Sequence, residues 1–315
     1  MVACLAFAEE FRTARLARIL VIRLGALGDF VLSFGPFAAI RARHPGAEIT
    51  LLTTAPFADL ARAAPWFDRV VIDARPDWWN LPGLLYLARD LRRFHRVYDL
   101  QTSARSSRYF RLAGRPPWSG IAPGCSLPHA NPARDGMHTL ERQREQLAMA
   151  GITAFPPPDL SWLAGTIALP PRPYALLVPG AAPHRPRKRW PAARFGELAA
   201  LLNARGLTPV VLGTATEAPL AATIAAACPA AIDLTGRTSL PDIASLARAA
   251  ALAVGNDTGP MHLAAAVGCP SIVLFSADSD PALTAPRGPD GSWPVVLRSP
   301  DLADLPVPRV AGALP

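Results

Sequence analysis

The sequence predicts an α/β protein of two Rossmann-like parallel-sheet domains facing a central cleft, and three observations carry the prediction. Short apolar runs of strand length alternate with longer segments whose apolar residues recur at helical spacing. The alternation is gone through twice along the chain. Between its two rounds lie Phe155-Pro156-Pro157-Pro158 and Pro170-Pro171-Arg172-Pro173, which suit neither a helix interior nor a central strand. Strands joined through helices build parallel sheets with right-handed crossovers. The expected division is an N-terminal domain over residues 1–160 and a C-terminal domain over 161–315.

In the first round, Arg18–Arg23 (RILVIR) reads as a buried strand and Leu27–Arg43 as one helix with an apolar face. Ala47–Leu52 is the next strand, Pro56–Ala64 a short helix started by its proline, and Arg69–Asp73 a third strand. Leu81–His95 is helical, Tyr98–Gln101 a short strand and Ser103–Ala113 a helix. After an irregular stretch, Met137–Ala150 is a helix closed by Gly151. In the second round, strand Tyr174–Val178 leads to helix Pro191–Ala204, and strand Thr208–Leu212 to helix Glu217–Ala227. Strand Ala231–Leu234 leads to helix Ser239–Ala249, strand Leu252–Val254 to helix Gly259–Val267, and Ser271–Phe275 is a last strand.

Composition narrows the class. Half of the 315 residues are hydrophobic and 18% are charged, which excludes intrinsic disorder. The most apolar stretch, residues 19–40, carries Arg23 and Asp29 in its middle, so no bilayer span is expected. Met1–Phe7 is apolar, but Glu9 and Glu10 follow at once, and no signal peptide is expected. Cys4, Cys125, Cys228 and Cys269 are too dispersed for a metal or redox motif and fit free thiols in a reducing cytoplasm.

Charge is more informative. Formal net charge is +8, and Lys188 is the single lysine among 32 basic residues. Up to residue 160 there are 20 basic and 14 acidic residues, and beyond it 12 and 10. An anionic partner is therefore attracted mainly by the first half. Arg105, Arg108, Arg111 and Arg115 recur along one helical face, and Arg89, Arg92, Arg93 and Arg96 form a second group. Such stripes are either solvated faces or surfaces that receive an anion.

In parallel sheets, ligands bind beyond the carboxyl ends of the strands, so the strand-to-helix turns are where chemistry is expected. The first turn, Arg23-Leu24-Gly25-Ala26-Leu27-Gly28-Asp29, has arginine where a dinucleotide fingerprint needs its first glycine. Asp29, in the first turn of the next helix, either complements the helix dipole or serves as a general base. The turn opening the second round runs Pro179-Gly180 to Trp190-Pro191 and holds His184, Arg185, Arg187, Lys188 and Arg189, a set suited to a diphosphate or simply solvated. In Val254-Gly255-Asn256-Asp257-Thr258-Gly259-Pro260-Met261-His262, a strand enters a polar turn where Thr258 and Gly259 offer donors to phosphate oxygens. Asp257 caps the helix or serves the ligand, and His262 faces either ligand or core. Glu217, after Gly213-Thr214-Ala215-Thr216, accepts ribose hydroxyls or favours its helix start. Asp278-Ser279-Asp280 has the form of a metal-holding D-x-D, although Pro281 after it suggests a helix cap.

These pieces resemble glycosyltransferase family 9, the ADP-heptose:lipopolysaccharide heptosyltransferases. The matching segments are ILVIRLGALGDFVLSFGPFAAIRARHPGAEITLL, YDLQTSARSS, PG…KRWP, LTGRTSLPDIASLARAA and GNDTGPMHLAAAVGCPSIVLF, in family order over about residues 18 to 285. The resemblance implies a GT-B architecture, with acceptor on the N-terminal domain and nucleotide sugar on the C-terminal one. It also implies inversion at the anomeric carbon, and no cofactor or obligatory metal. By position, Asp29 matches the catalytic base, Lys188 the diphosphate-binding lysine, Asp257-Thr258-Gly259 the donor-phosphate turn and Glu217 a ribose-binding acid. His262 joins the donor set, while Arg105, Arg108 and Gly28 form the expected acceptor side.

Ala181-Ala182-Pro183 departs from the family in lacking small hydroxyl residues, which implies fewer phosphate contacts. The implied partners are ADP-heptose and an anionic glycolipid acceptor, not nucleic acid. The implied location is the cytoplasm, with peripheral contact at the inner membrane's cytoplasmic face. A non-catalytic nucleotide or carbohydrate binder on the same scaffold is the competing reading. An NAD-dependent oxidoreductase is disfavoured by Arg23.

Overall fold

The computed structural model describes residues 17–182 and 185–315. The readings made of Met1–Phe7, Cys4 and His184 lie outside the described residues. The described residues form two six-stranded sheets, every pairing parallel.

The first sheet contains β1 (Arg18–Ile22), β2 (Glu48–Thr53), β3 (Arg69–Ile72), β4 (Arg96–Asp99), β5 (Trp118–Gly120) and β6 (Leu127–Pro128), in the order β3-β2-β1-β4-β5-β6. Between them run α1 (Leu27–Leu32), α2 (Phe34–Arg43), α3 (Ala58–Ala63), α4 (Leu81–Leu91) and α5 (Ala104–Leu112), and α6 (Thr139–Met149) follows. The second sheet contains β7 (Tyr174–Val178), β8 (Thr208–Val211), β9 (Ile232–Asp233), β10 (Leu252–Asn256), β11 (Ser271–Phe275) and β12 (Val295–Arg298), in the order β12-β11-β10-β7-β8-β9. Its helices are α7 (Ala192–Ala204), α8 (Ala218–Ala227), α9 (Leu240–Ala249), α10 (Gly259–Ala266), α11 (Pro281–Thr284) and α12 (Val307–Ala311). Counted from its own first strand, each sheet has the doubly wound order 3-2-1-4-5-6. Its switch point lies between β1 and β4 in the first sheet and between β7 and β10 in the second.

Buried apolar strands explain why both sheets are parallel: β1, β2, β7, β10 and β11 bury nearly every residue, as sheets covered on both faces require. Leu20, Ile22, Tyr109 and Trp118 pack one core, and Trp190, Phe195, Leu198 and Leu274 the other.

Three expectations are corrected. The single helix foreseen over Leu27–Arg43 is two, broken at Ser33. Pro36 has no N–H for the Leu32 carbonyl, and the Ser33 hydroxyl turns back to donate to the Asp29 carbonyl at 2.7 Å. The strand placed at Tyr98–Gln101 is Arg96–Asp99, because the Asp99 carboxylate accepts from the Gln101 and Thr102 amides and bends the chain away. Strands β5, β6 and β12, two to four residues long, were not foreseen at all.

By internal contacts the chain divides into two compact units. Among the described residues, one comprises 17–24, 37–130 and 145–154, and the other 25–36, 131–144, 155–182 and 185–315. These are not the contiguous halves 1–160 and 161–315. Helix α1, although it follows β1 directly, packs with the second unit.

Candidate active site

The second unit's site grows from the carboxyl ends of β7 and β10, which lie side by side with Val178 opposite Gly255. Both strands then need a polar residue to organise the turns that follow. Asn256 supplies it: buried completely, it donates from Nδ2 to the Pro179 carbonyl at 2.8 Å and accepts the Trp190 amide at 3.1 Å. One carboxamide thereby ties both ends of the basic loop to the strand. Sequence reasoning passed over Asn256, although a polar residue closing an apolar strand was a visible signal.

The loop's basic residues have separate tasks. The Arg189 guanidinium holds the Ala181 carbonyl at 2.7 and 3.2 Å. Arg187 lies 3.4 Å from the Asp278 carboxylate, and Arg185 donates to the Asp278 carbonyl at 3.5 Å. Lys188 Nζ donates to Asp257 Oδ2 at 2.6 Å, with the two side chains only 12% and 8% exposed. Burial alone would raise the Asp257 pKa. The His262 imidazole, 3.8 Å from Oδ1, and the Lys188 ammonium outweigh it and hold the carboxyl below its ordinary value. Asp257 therefore stays ionised as the counter-charge of Lys188, and it does not cap α10.

Thr258 precedes α10 with extended backbone, and its hydroxyl donates to the Asn256 carbonyl at 3.2 Å. The opening amides of a helix have no carbonyl one turn earlier, so the Thr258–Gly259 turn presents donors outward. Helix α1 lies directly against this turn. A Cβ on Gly28 would stand 2.7 Å from His262 Nε2, and a Cβ on Gly259 2.6 Å from Leu27 Cγ. Only glycine at both positions allows so close an approach. What the structure shows of Gly28 is this packing against the His262 ring. His262 itself is buried, with no protein partner for Nδ1.

The close approach brings Asp29 to a cavity of about 470 Å³ that is also lined by Arg185, Lys188, Asp257, Thr258, Gly259 and His262. Arg142 on α6, 113 positions along the chain, feels the charge of Asp29. No spacing rule pointed to it. A second cavity, of about 850 Å³, shares Ala182 and Thr258 with the first. Its walls include Val178, Leu220, Leu240 and Ile243, with Glu217 among them. Glu217 Oε2 accepts from the Thr214 amide at 2.8 Å and hydroxyl at 3.0 Å, so this acid starts its helix while also facing the cavity.

Two expected acceptor residues lie in the other unit. Arg105 and Arg108 place their guanidinium groups 5.2 and 4.8 Å from the Trp78 ring centroid, and Arg105 also donates to the Pro76 carbonyl. Among the described residues there is no cluster of three or more His, Cys, Asp or Glu side chains suited to a metal. In the D-x-D segment, Asp278 faces Arg187 and Asp280 accepts the Ala282 amide to cap α11. Cys125, Cys228 and Cys269 are free and buried, and burial pushes the Cys269 thiol up to about 12.

The chain thus carries two doubly wound sheets, as in GT-B architecture, with a basic pocket and a cavity of about 850 Å³ at the second sheet's switch point. The chain belongs to glycosyltransferase family 9 (heptosyltransferase), whose family model matches residues 84–293. It is similar to lipopolysaccharide heptosyltransferase 1 of Pseudomonas aeruginosa, at 27% identity over 295 residues, covering 86% of this chain and 81% of that protein. Against lipooligosaccharide heptosyltransferase 2 of Haemophilus influenzae, identity is 35% over 126 residues, covering 38% of this chain and 36% of the relative. The solved structure of E. coli ADP-heptose lps heptosyltransferase II superposes with a TM-score of 0.73 at 26% identity, covering 94% and 97% of the two chains.

Proposed function

We propose that this protein transfers heptose from ADP-heptose to a lipopolysaccharide core, by a single displacement that inverts the anomeric carbon. The observation that carries the reading is the meeting of Asp29, Lys188 and the Thr258–Gly259 turn around one cavity, next to a larger one fit for a nucleoside. The relatives' names supply the sugar and the acceptor class.

In this reading an acceptor hydroxyl attacks the anomeric carbon from the face opposite the diphosphate. The new C–O bond forms as the bond to the diphosphate oxygen breaks, and the electron pair leaves on ADP. The hydroxyl proton passes to the Asp29 carboxylate. Charge gathering on ADP is met by Lys188 and by the Thr258 and Gly259 amides, donors already in place before reaction. Asp257 is already paired and would repel a phosphate at contact, so it serves the donor by aiming Lys188. Glu217 accepts ribose hydroxyls from its place in the larger cavity. Arg105 and Arg108 receive the anionic acceptor. The protein works in the cytoplasm, in peripheral contact with the inner membrane; no helix of the described residues is long and apolar enough to cross a membrane.

The test is Asp29→Asn with ADP-heptose and a deacylated core acceptor. Transfer is expected to fall by about 10²–10⁴-fold, the span of general-base catalysis, while ADP binding by calorimetry stays within about twofold. Normal turnover by the variant would remove Asp29 from the base role. Absence of donor turnover by the wild-type protein would favour a non-catalytic binder.

A further inference from the structure

Helix α4 of the first unit carries more large apolar residues than the fold buries. Ala88 and Leu91 are buried toward the sheet. Elsewhere on the helix Leu81, Leu85 and Tyr86 are 67%, 70% and 64% exposed, and Trp79 beside the helix start is 80% exposed. Large apolar side chains left exposed together along one helix mark an interaction surface.

The charges next to that group indicate which partner. At 100° per residue, Leu81, Leu85, Arg89 and Arg92 fall on one stripe, with Tyr86 and Arg93 on its flank. The apolar residues occupy the first turns, and the arginines follow at the helix end and just beyond it, all three exposed. Arg89 lies 5.5 Å from the Tyr86 ring centroid. Asp90, the acid of this segment, lies 3.9 Å from Arg89. Aromatic and leucine side chains followed along the helix by arginines are complementary to a bilayer surface, where acyl chains meet anionic headgroups. A protein partner with a matching apolar and acidic face is not favoured in the same way, because tryptophan and tyrosine at the edge of such a group suit the headgroup level.

We infer that the exposed face of α4, from Trp79 to Arg93, docks this protein onto a phospholipid bilayer carrying anionic headgroups. The inference rests on the peripheral location proposed above and names the surface responsible for it.

Vesicle flotation tests it, with phosphatidylcholine alone compared against phosphatidylcholine containing about one third phosphatidylglycerol. The wild-type protein is expected to float with the anionic vesicles and to be released by salt. At roughly fivefold in partitioning per arginine near a charged surface, Arg89→Ser/Arg92→Ser should lose about 25-fold. Trp79→Ser/Leu85→Ser should abolish flotation on both compositions. Both variants replace exposed side chains, and each should keep its circular dichroism spectrum and its transfer to a soluble, deacylated acceptor. Equal wild-type binding to both vesicle types, or no binding, would overturn the inference. So would self-association in sedimentation that the same substitutions abolish, since the face would then belong to a second copy. Failure of transfer by the wild-type protein would overturn the proposed activity alone, because flotation is read without it.

Discussion

Replacing Lys188 with alanine separates two things that its side chain does at once. Lys188 neutralises Asp257 across 2.6 Å in surroundings that leave the pair 12% and 8% exposed, and in the proposed reaction it also grips the diphosphate. Removing one partner of a buried pair costs about 3–5 kcal/mol, chiefly because the other charge is left uncompensated. His262 at 3.8 Å still offers Asp257 some relief, so Lys188→Ala should destabilise the second unit by about 3 kcal/mol, the low end of that range. Loss of a charge-assisted bond to phosphate should weaken ADP by roughly 10- to 150-fold. Adding Asp257→Asn removes the stranded charge. In urea unfolding the double variant should recover about 2 kcal/mol, while calorimetry should show ADP binding as weak as before. The wild-type pair also stabilises above the ordinary aspartate range and loses that contribution as acid protonates Asp257. The stability gap between wild type and Lys188→Ala should therefore narrow on acidification. If the double variant regained ADP affinity along with stability, Lys188 would be only the counter-ion of Asp257.

Gly28→Ala should drive a methyl group into the buried His262 ring, 2.7 Å from Nε2, and cost about 1–3 kcal/mol by overpacking. His262→Ala in the same chain should restore the unfolding midpoint, and persistence of the full cost would show that the contact is not the cause. Asp99 is fully buried, and burial pushes its carboxyl from 3.8 up to about 6. A carboxyl raised in the folded state favours folding below about pH 4 and loses that contribution as pH rises through about 6, a change of about 3 kcal/mol at 1.36 per unit. Asp99→Asn should abolish that dependence, so the stability difference between the two proteins should change by most of this amount between pH 4 and 7. Parallel stability curves would refute it.

Much of the fold was legible because its signals are local. Strand β7 and helices α7 and α9 declare themselves by apolar spacing and by Pro191 and Ser239 at their starts. Strand order was not readable in the same way, since pairing β1 with β4 depends on contacts about 77 residues apart. Strands β5 and β6 were missed because runs of two or three residues carry no period. The site divides likewise. Asp29, Lys188 and Thr258 stand in turns whose composition announces them. That Lys188 pairs with Asp257, 69 positions on, is a tertiary fact, as is the nearness of Arg142 to Asp29.

The contact units depart from the expected halves at one place that matters for chemistry. Reading β1 and the segment after it as one domain puts Asp29 among the acceptor-side residues. The contacts put residues 25–36 with the second unit instead, at a close approach that Gly28 and Gly259 permit by lacking side chains. Each lets the other helix come within van der Waals reach of its first turn. The carboxylate proposed as base is thus fixed against the same turn whose amides are proposed to hold the leaving diphosphate. A base tied in this way would keep its distance from the donor whatever the acceptor side does. That constraint is what a displacement at the anomeric carbon requires of the residue receiving the proton.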